Sequence, residues 1–270
     1  MATYPLLDPA PSPAPTGTRR GGDTVAVEQH SVLRAVASHL LPGVATAAIF
    51  YLLAPAAIAA GYPAIAAGVV GAAVGVVGGQ LGWLLYQARR RTGRWSLSAV
   101  LPYRPGAWTW RKTLLVPLLV AWALPAGMIT GGLKTVIQDA AFGWMPAWAL
   151  NPLPADIAAT ASGTARLATA VGFLVVLVIL GPLVEELYFR GYLLPRLGRF
   201  GVWAPLLNIS MFAAYHLWKP WDILTVTLTL LPMGYAVWRT RDIRLGIAAH
   251  IGINGAFGFL LSALPRLLAA

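Results

Sequence analysis

The sequence predicts an all-α fold, a polytopic bundle of transmembrane helices. It has seven spans, or eight if residues 134–160 dip into the bilayer. Three observations predict this. Apolar residues make up 58% of the chain and charged residues 11%, whereas a soluble domain carries about 25% charged residues. No Asp, Glu, Lys or Arg occurs between Ala35 and Ala88, a run suited to two membrane helices of about 20 residues each. The basic residues fall in alternate short loops, as they do in multi-pass proteins.

Residues 1–31 read as a disordered, Pro-rich cytoplasmic tail. Pro5, Pro9, Pro11, Pro13 and Pro15 break any helix there, and little apolar surface is left to form a core. Arg19-Arg20 is followed by Gly-Gly-Asp rather than an apolar stretch, so no cleaved signal is expected. Residues 32–134 hold the first three spans, over 33–59, 63–88 and 112–133, with a hinge at Gly61, Tyr62 and Pro63. The glycines of the second span suit close packing against a neighbouring helix. Residues 135–164 read as an interfacial loop. Trp144 and Trp148 favour the headgroup level, and Pro146, Pro152 and Pro154 interrupt the segment. Residues 165–264 hold the last four spans, over 165–189, 201–218, 222–238 and 244–264.

Charge sets the expected orientation. Arg89, Arg90, Arg91, Arg94, Arg104, Arg111 and Lys112 follow span two. Arg196 and Arg199 follow span four, and Arg239, Arg241 and Arg244 follow span six. With seven spans these loops share one side, which is the cytoplasmic side. The N-terminus is then inside and the C-terminus outside, in a multi-pass protein of the plasma (inner) membrane. The net charge of +11 is not a nucleic-acid signal, because the cations sit in loops facing anionic lipid rather than on a soluble basic face. The chain has no cysteine, which excludes disulfides, thiolate nucleophiles and Cys-ligated zinc.

Three Glu occur in the whole chain, and two are adjacent, Glu185 and Glu186, directly after the apolar run 171–184. Ionisable groups at that depth are costly and commonly functional. Neighbours on a helix point about 100° apart, so the two carboxyls are expected to differ in role. Arg190 lies one turn beyond Glu186 and can pair with it, which leaves Glu185 facing another helix. His216, preceded by Phe212, lies in the fifth span. His250 and Asn254 share a helical face in the seventh. Each would be expensive unpaired in hydrocarbon. Their meeting between helices would assemble a base, imidazoles and a carboxamide suited to hydrolysis.

These residues carry a resemblance. Glu185-Glu186-Leu187-Tyr188-Phe189-Arg190 resembles the E-E-x-x-x-R motif of the CPBP family, the CAAX protease and bacteriocin-processing group. Phe212 to His216 resembles its F-x-x-x-H motif, and His250 to Asn254 its H-x-x-x-N motif, in family order. The resemblance covers about 165–260 and implies an intramembrane endopeptidase whose site opens to the cytoplasm. It implies that Glu185, with His216, activates water and that His250 and Asn254 form the oxyanion site. It also implies that Glu186, Arg190 and Phe212 give structural support. The substrate would be a membrane-associated peptide or protein, prenylated if the activity is CAAX-type and not necessarily so if it is peptide maturation. No cofactor is favoured. The alternative is a zinc metalloprotease with Glu185, His216 and His250 as ligands, although no compact H-E-x-x-H is present. Other readings are a non-proteolytic scaffold or immunity protein of the same family, and a proton-coupled transporter, which would predict an inverted repeat.

Overall fold

The computed structural model describes residues 27–103, 105–152 and 162–262. Most of the expected tail, Arg104 and residues 153–161 of the expected interfacial loop lie outside the described residues. Among the described residues seven principal helices are present: α1 (Val32–Ala59), α2 (Ile65–Thr92), α3 (Trp110–Phe142), α4 (163–193), α5 (Ala204–Tyr215), α6 (Ile223–Thr240) and α7 (Ile243–Ser262). No strand occurs among the described residues.

Local chemistry sets several of these boundaries. Ser31 and Ser162 cap α1 and α4, each accepting a backbone N–H three residues on at 3.2 Å, which satisfies a donor the helix start leaves free. Gly93 ends α2 in the left-handed conformation, φ 71°. Helix α3 runs nine residues past the expected end at 133, because no proline or Gly-led turn intervenes before Gly143. The expected interfacial loop therefore begins as helix, and one further turn, Ala147–Leu150, follows Pro146.

Among the described residues four stretches are long and apolar enough to cross a membrane: Val32–Ala59, Ile65–Thr92, Trp110–Phe142 and Gly163–Tyr215. The last merges two expected spans. Residues 194–203 stay in tight 3₁₀ turns, and the direction changes at Gly201, whose φ of 54° and ψ of −125° suit glycine. Helix α5 has 12 residues, or about 18 Å at 1.5 Å per residue, short of a hydrocarbon core of about 30 Å. Helix α6 has 18 residues, with Thr225, Thr227, Thr229 and Pro232 among them, and so is less apolar than its length suggests.

Apolar side chains face both ways. Leu84, Val184, Phe189, Phe212, Met233, Leu245 and Ala249 are buried in one core cluster drawn from α2, α4, α5, α6 and α7. Leu33, Met128 and Ile129 are 79%, 76% and 81% exposed. Such outward apolar faces are expected where the solvent is lipid. With the four apolar stretches, they describe a membrane protein.

Residues 27–31, assigned by sequence to the tail, are held against the turns after α4. Gln29 donates to the Pro195 carbonyl at 3.1 Å and accepts from the Arg199 N–H at 3.0 Å. On the same arginine-rich end, Asp242 ties three elements together. Its carboxylate, fully buried, takes Lys112 Nζ at 2.7 Å, Arg244 Nε at 2.8 Å and Arg244 Nη2 at 2.8 Å. Arg244 also donates to the Gly106 carbonyl at 2.6 Å. The start of α3 is thereby fastened to the α6–α7 turn.

Hydrogen bonding from Arg244 holds the Asp242 carboxyl at about 2, below its ordinary 3.8. Burial opposes this and Lys112 adds to it. A depressed carboxyl stabilises the fold above its unfolded value, and that contribution is lost as pH falls toward 2. With Arg244 half exposed to solvent, the shift corresponds to at most about 2 kcal/mol. Asp242→Asn should therefore lower the thermal midpoint of detergent-solubilised protein at pH 7. The gap to wild type should close as pH drops from about 4 to about 2. A gap independent of pH would mean that Asp242 acts through packing alone.

Candidate active site

The adjacent carboxyls sit where α4 changes pitch. Residues 181–185 are α-helical and residues 186–193 make wider π-type turns, a departure often found at functional sites. Glu186 and Arg190 are fully buried and Glu185 is 7% exposed. Arg190 Nη1 lies 3.1 Å from Glu186 Oε1, and its guanidinium carbon sits 4.3 Å from the centroid of the Phe212 ring. No guanidinium nitrogen of Arg190 makes a well-aligned hydrogen bond among the described residues. The ion pair and the ring face are what hold it.

Glu186 also reaches α7. Its Oε1 accepts from His250 Nδ1 at 3.0 Å. Gly246 permits this approach, since a Cβ there would come within 2.6 Å of Glu186 Oε2. Glu186 thus anchors α7 as well as the last turns of α4. An Nδ1 bound to a carboxylate carries the proton, so a neutral His250 presents the lone pair of Nε2. That atom faces Glu185 Oε2 at 4.0 Å. The separation is too long for a hydrogen bond and suits one bridging water. One imidazole therefore stands between both carboxyls.

The other oxygen of Glu185 is held from a different side. Tyr215 Oη donates to Glu185 Oε1 at 3.0 Å. Gln80 Nε2, from α2, donates to Tyr215 Oη at 3.3 Å. The α5 side chain bonded to Glu185 is thus Tyr215. Its neighbour His216 has φ −74° and ψ 57° and has already left the helix. His216 Nδ1 donates to the Phe212 carbonyl at 2.9 Å, which leaves Nε2 as the acceptor in the neutral ring. The imidazole packs among Phe212, Tyr215 and Trp218 with centroids 4.8–4.9 Å away.

Asn254 is part-buried. Its Nδ2 donates to the Leu177 carbonyl at 3.0 Å, which lies in the π-type turns of residues 173–180. One N–H of the carboxamide is engaged there and a second remains. Glu185, Glu186, Arg190, His250 and Phe212 thus form one connected cluster across α4, α5 and α7. His216 joins it through Phe212, and Asn254 through the upper part of α4.

Among the described residues, no three or more His, Asp or Glu side chains gather into a group able to hold a metal ion. Two members of the cluster, Tyr215 and Gln80, were not singled out in the sequence. The available signal was Gln80, a carboxamide in a Gly-rich apolar helix, which must find a partner there.

Residues 167–256 match the family model described as type II CAAX prenyl endopeptidase Rce1-like, in agreement with the CPBP resemblance. The matched stretch includes every residue of the three motifs. No curated protein and no solved structure matches the chain.

Proposed function

We propose that this chain is an intramembrane endopeptidase of the CAAX-protease type, with Glu185 as the base that activates water. The match over residues 167–256 supports the class. The observation that carries the reading is Glu185 itself, a buried carboxyl with one oxygen held by Tyr215 and the other facing His250 Nε2.

In this reading, water loses a proton to Glu185 Oε2 as its oxygen attacks the scissile carbonyl carbon. His216, through Nε2, helps to hold the water. The carbonyl becomes an oxyanion, stabilised by the free N–H of Asn254 and by His250 Nε2 when that ring is an imidazolium. Collapse of the intermediate breaks the C–N bond, and Glu185 returns the proton to the departing amine. Glu186, Arg190 and Phe212 keep α4, α5 and α7 in register around these atoms.

The substrate is a membrane-associated peptide or protein, prenylated in the CAAX case. The seven helices are read as seven spans, the short α5 with the turns that precede it. Their arginine-rich end faces the cytoplasm and the site opens to that side of the plasma membrane. A prenylated peptide ending in a CAAX sequence, presented to the purified protein in liposomes, tests the activity. Release of its last three residues is the expected result, and the unprenylated peptide should react more slowly.

Water activation here needs no zinc. A tight chelator should leave the cleavage rate unchanged, and the purified protein should hold no stoichiometric transition metal. One zinc per chain, lost on Glu185→Ala, would establish the metalloprotease reading instead.

A further inference from the structure

The Tyr215 hydroxyl is fully buried and stands between two side chains. It has one hydrogen, and Glu185 Oε1 takes it at 3.0 Å. The Gln80 amide must then present its NH₂ to the phenol oxygen, which it does at 3.3 Å. The Gln80 Oε1 atom is itself buried with no hydrogen-bond partner among the described residues. The order of donation is therefore fixed, from Gln80 to Tyr215 to Glu185. A carboxamide from α2, outside all three sequence motifs, ends up one side chain away from the carboxyl.

The ring is held as tightly as its hydroxyl. Phe189 lies 5.1 Å away, Phe212 stacks at 5.7 Å and Trp218 meets it edge-on at 5.3 Å. On the α1 side the Tyr215 backbone packs against Gly43. A Cβ there would run into the Tyr215 carbonyl oxygen and come within 2.9 Å of its ring. Four helices thus immobilise one phenol whose donor points at one carboxyl oxygen. A carboxylate tethered through Oε1 cannot rotate freely, so Oε2 stays aimed at His250.

We propose that Tyr215, supported by Gln80, is a positioning residue that fixes the Glu185 carboxyl so that Oε2 alone receives the proton from water. The inference rests on the reading of Glu185 as the base. A small misplacement of a reacting group can lower a rate by about 10²-fold.

The test compares kcat, KM and thermal midpoint in the liposome assay. Tyr215→Phe keeps the ring and removes the hydroxyl. It should lower kcat about 10–100-fold with KM within about twofold. The thermal midpoint should stay near wild type. Gln80→Met should lower kcat by about threefold, since it loosens only the outer link of the chain. Added to Tyr215→Phe, it should change nothing further, because its partner is gone. A merely structural role would lower the folded yield and leave kcat per folded molecule unchanged, and that result overturns the proposal. So does wild-type kcat in Tyr215→Phe beside an inactive Glu185→Gln, which spares the protease reading. A wild-type rate in Glu185→Gln would overturn both. Should Tyr215→Phe not fold, the Gln80→Met kcat decides alone, and no change there overturns the proposal.

Discussion

Glu185→Gln should reduce peptide cleavage to background while the protein stays folded and membrane-inserted. The substitution keeps the size of the side chain, and its amide oxygen can still accept from Tyr215. What it loses is the ability to take a proton from water. General-base catalysis alone is worth about 10²–10⁴-fold, and among the described residues no other carboxyl is placed to replace it, since Glu186 is engaged by Arg190 and His250. Release of the C-terminal fragment from a prenylated peptide measures the rate, and a thermal melt reports folding. The same variant separates the rival readings. A scaffold or immunity protein would keep its cellular role with Gln at this position. A transporter would show no cleavage in any variant, and its transport would change. Full complementation of a deletion strain by the Gln variant at normal expression would sink the protease assignment.

Arg190→Ala should be the most destabilising single change in the cluster. It leaves Glu186 buried with only His250 as partner and uncovers the Phe212 face. Breaking a buried pair on one side costs about 3–5 kcal/mol, a large part of the stability of a protein this size. Folded yield after detergent extraction should fall sharply, and activity should fall in proportion. Arg190→Lys should lie between, because an ammonium keeps the charge but not the planar contact with the ring. A variant with wild-type stability and no activity would instead give Arg190 a direct role at the substrate.

The residues that meet around Glu186 were legible in the sequence because each is a costly polar group in an apolar helix at a fixed spacing. Glu186 and Arg190 are one turn apart, and periodicity alone pairs them. The convergence of α7 on α4 follows from the same cost, since His250 needs a polar partner. Helical phase stops being a guide at the end of α5. His216 was expected to meet Glu185 from a helix reaching residue 218, but α5 ends at Tyr215. The chain turns there, and the neighbour takes the contact. Gln80 was legible as an oddity but not as a partner, because nothing local links residue 80 to residue 215. The Asp242 tie was hidden for a similar reason. A loop carboxylate beside Arg241 and Arg244 looks like ordinary surface charge until α3 packs against it. The span count depended on hydropathy, which among the described residues marks four stretches, the last of them taking in α5, and leaves α6 and α7 unmarked.

The link between Lys112 and Asp242 also bears on the order in which the protein can be built. The two residues are 130 positions apart. At a synthesis rate of about 5–20 residues per second, Asp242 emerges roughly 6–26 s after Lys112. During that interval α3 has entered the bilayer with an ammonium at its start and no carboxylate to meet it. Water and lipid phosphate must hold that charge until α6 and α7 arrive. Final docking of α3 against the last two helices is therefore a late event of biogenesis. A chain truncated before residue 242 should stay open at its arginine-rich end, in the form a quality-control protease would recognise.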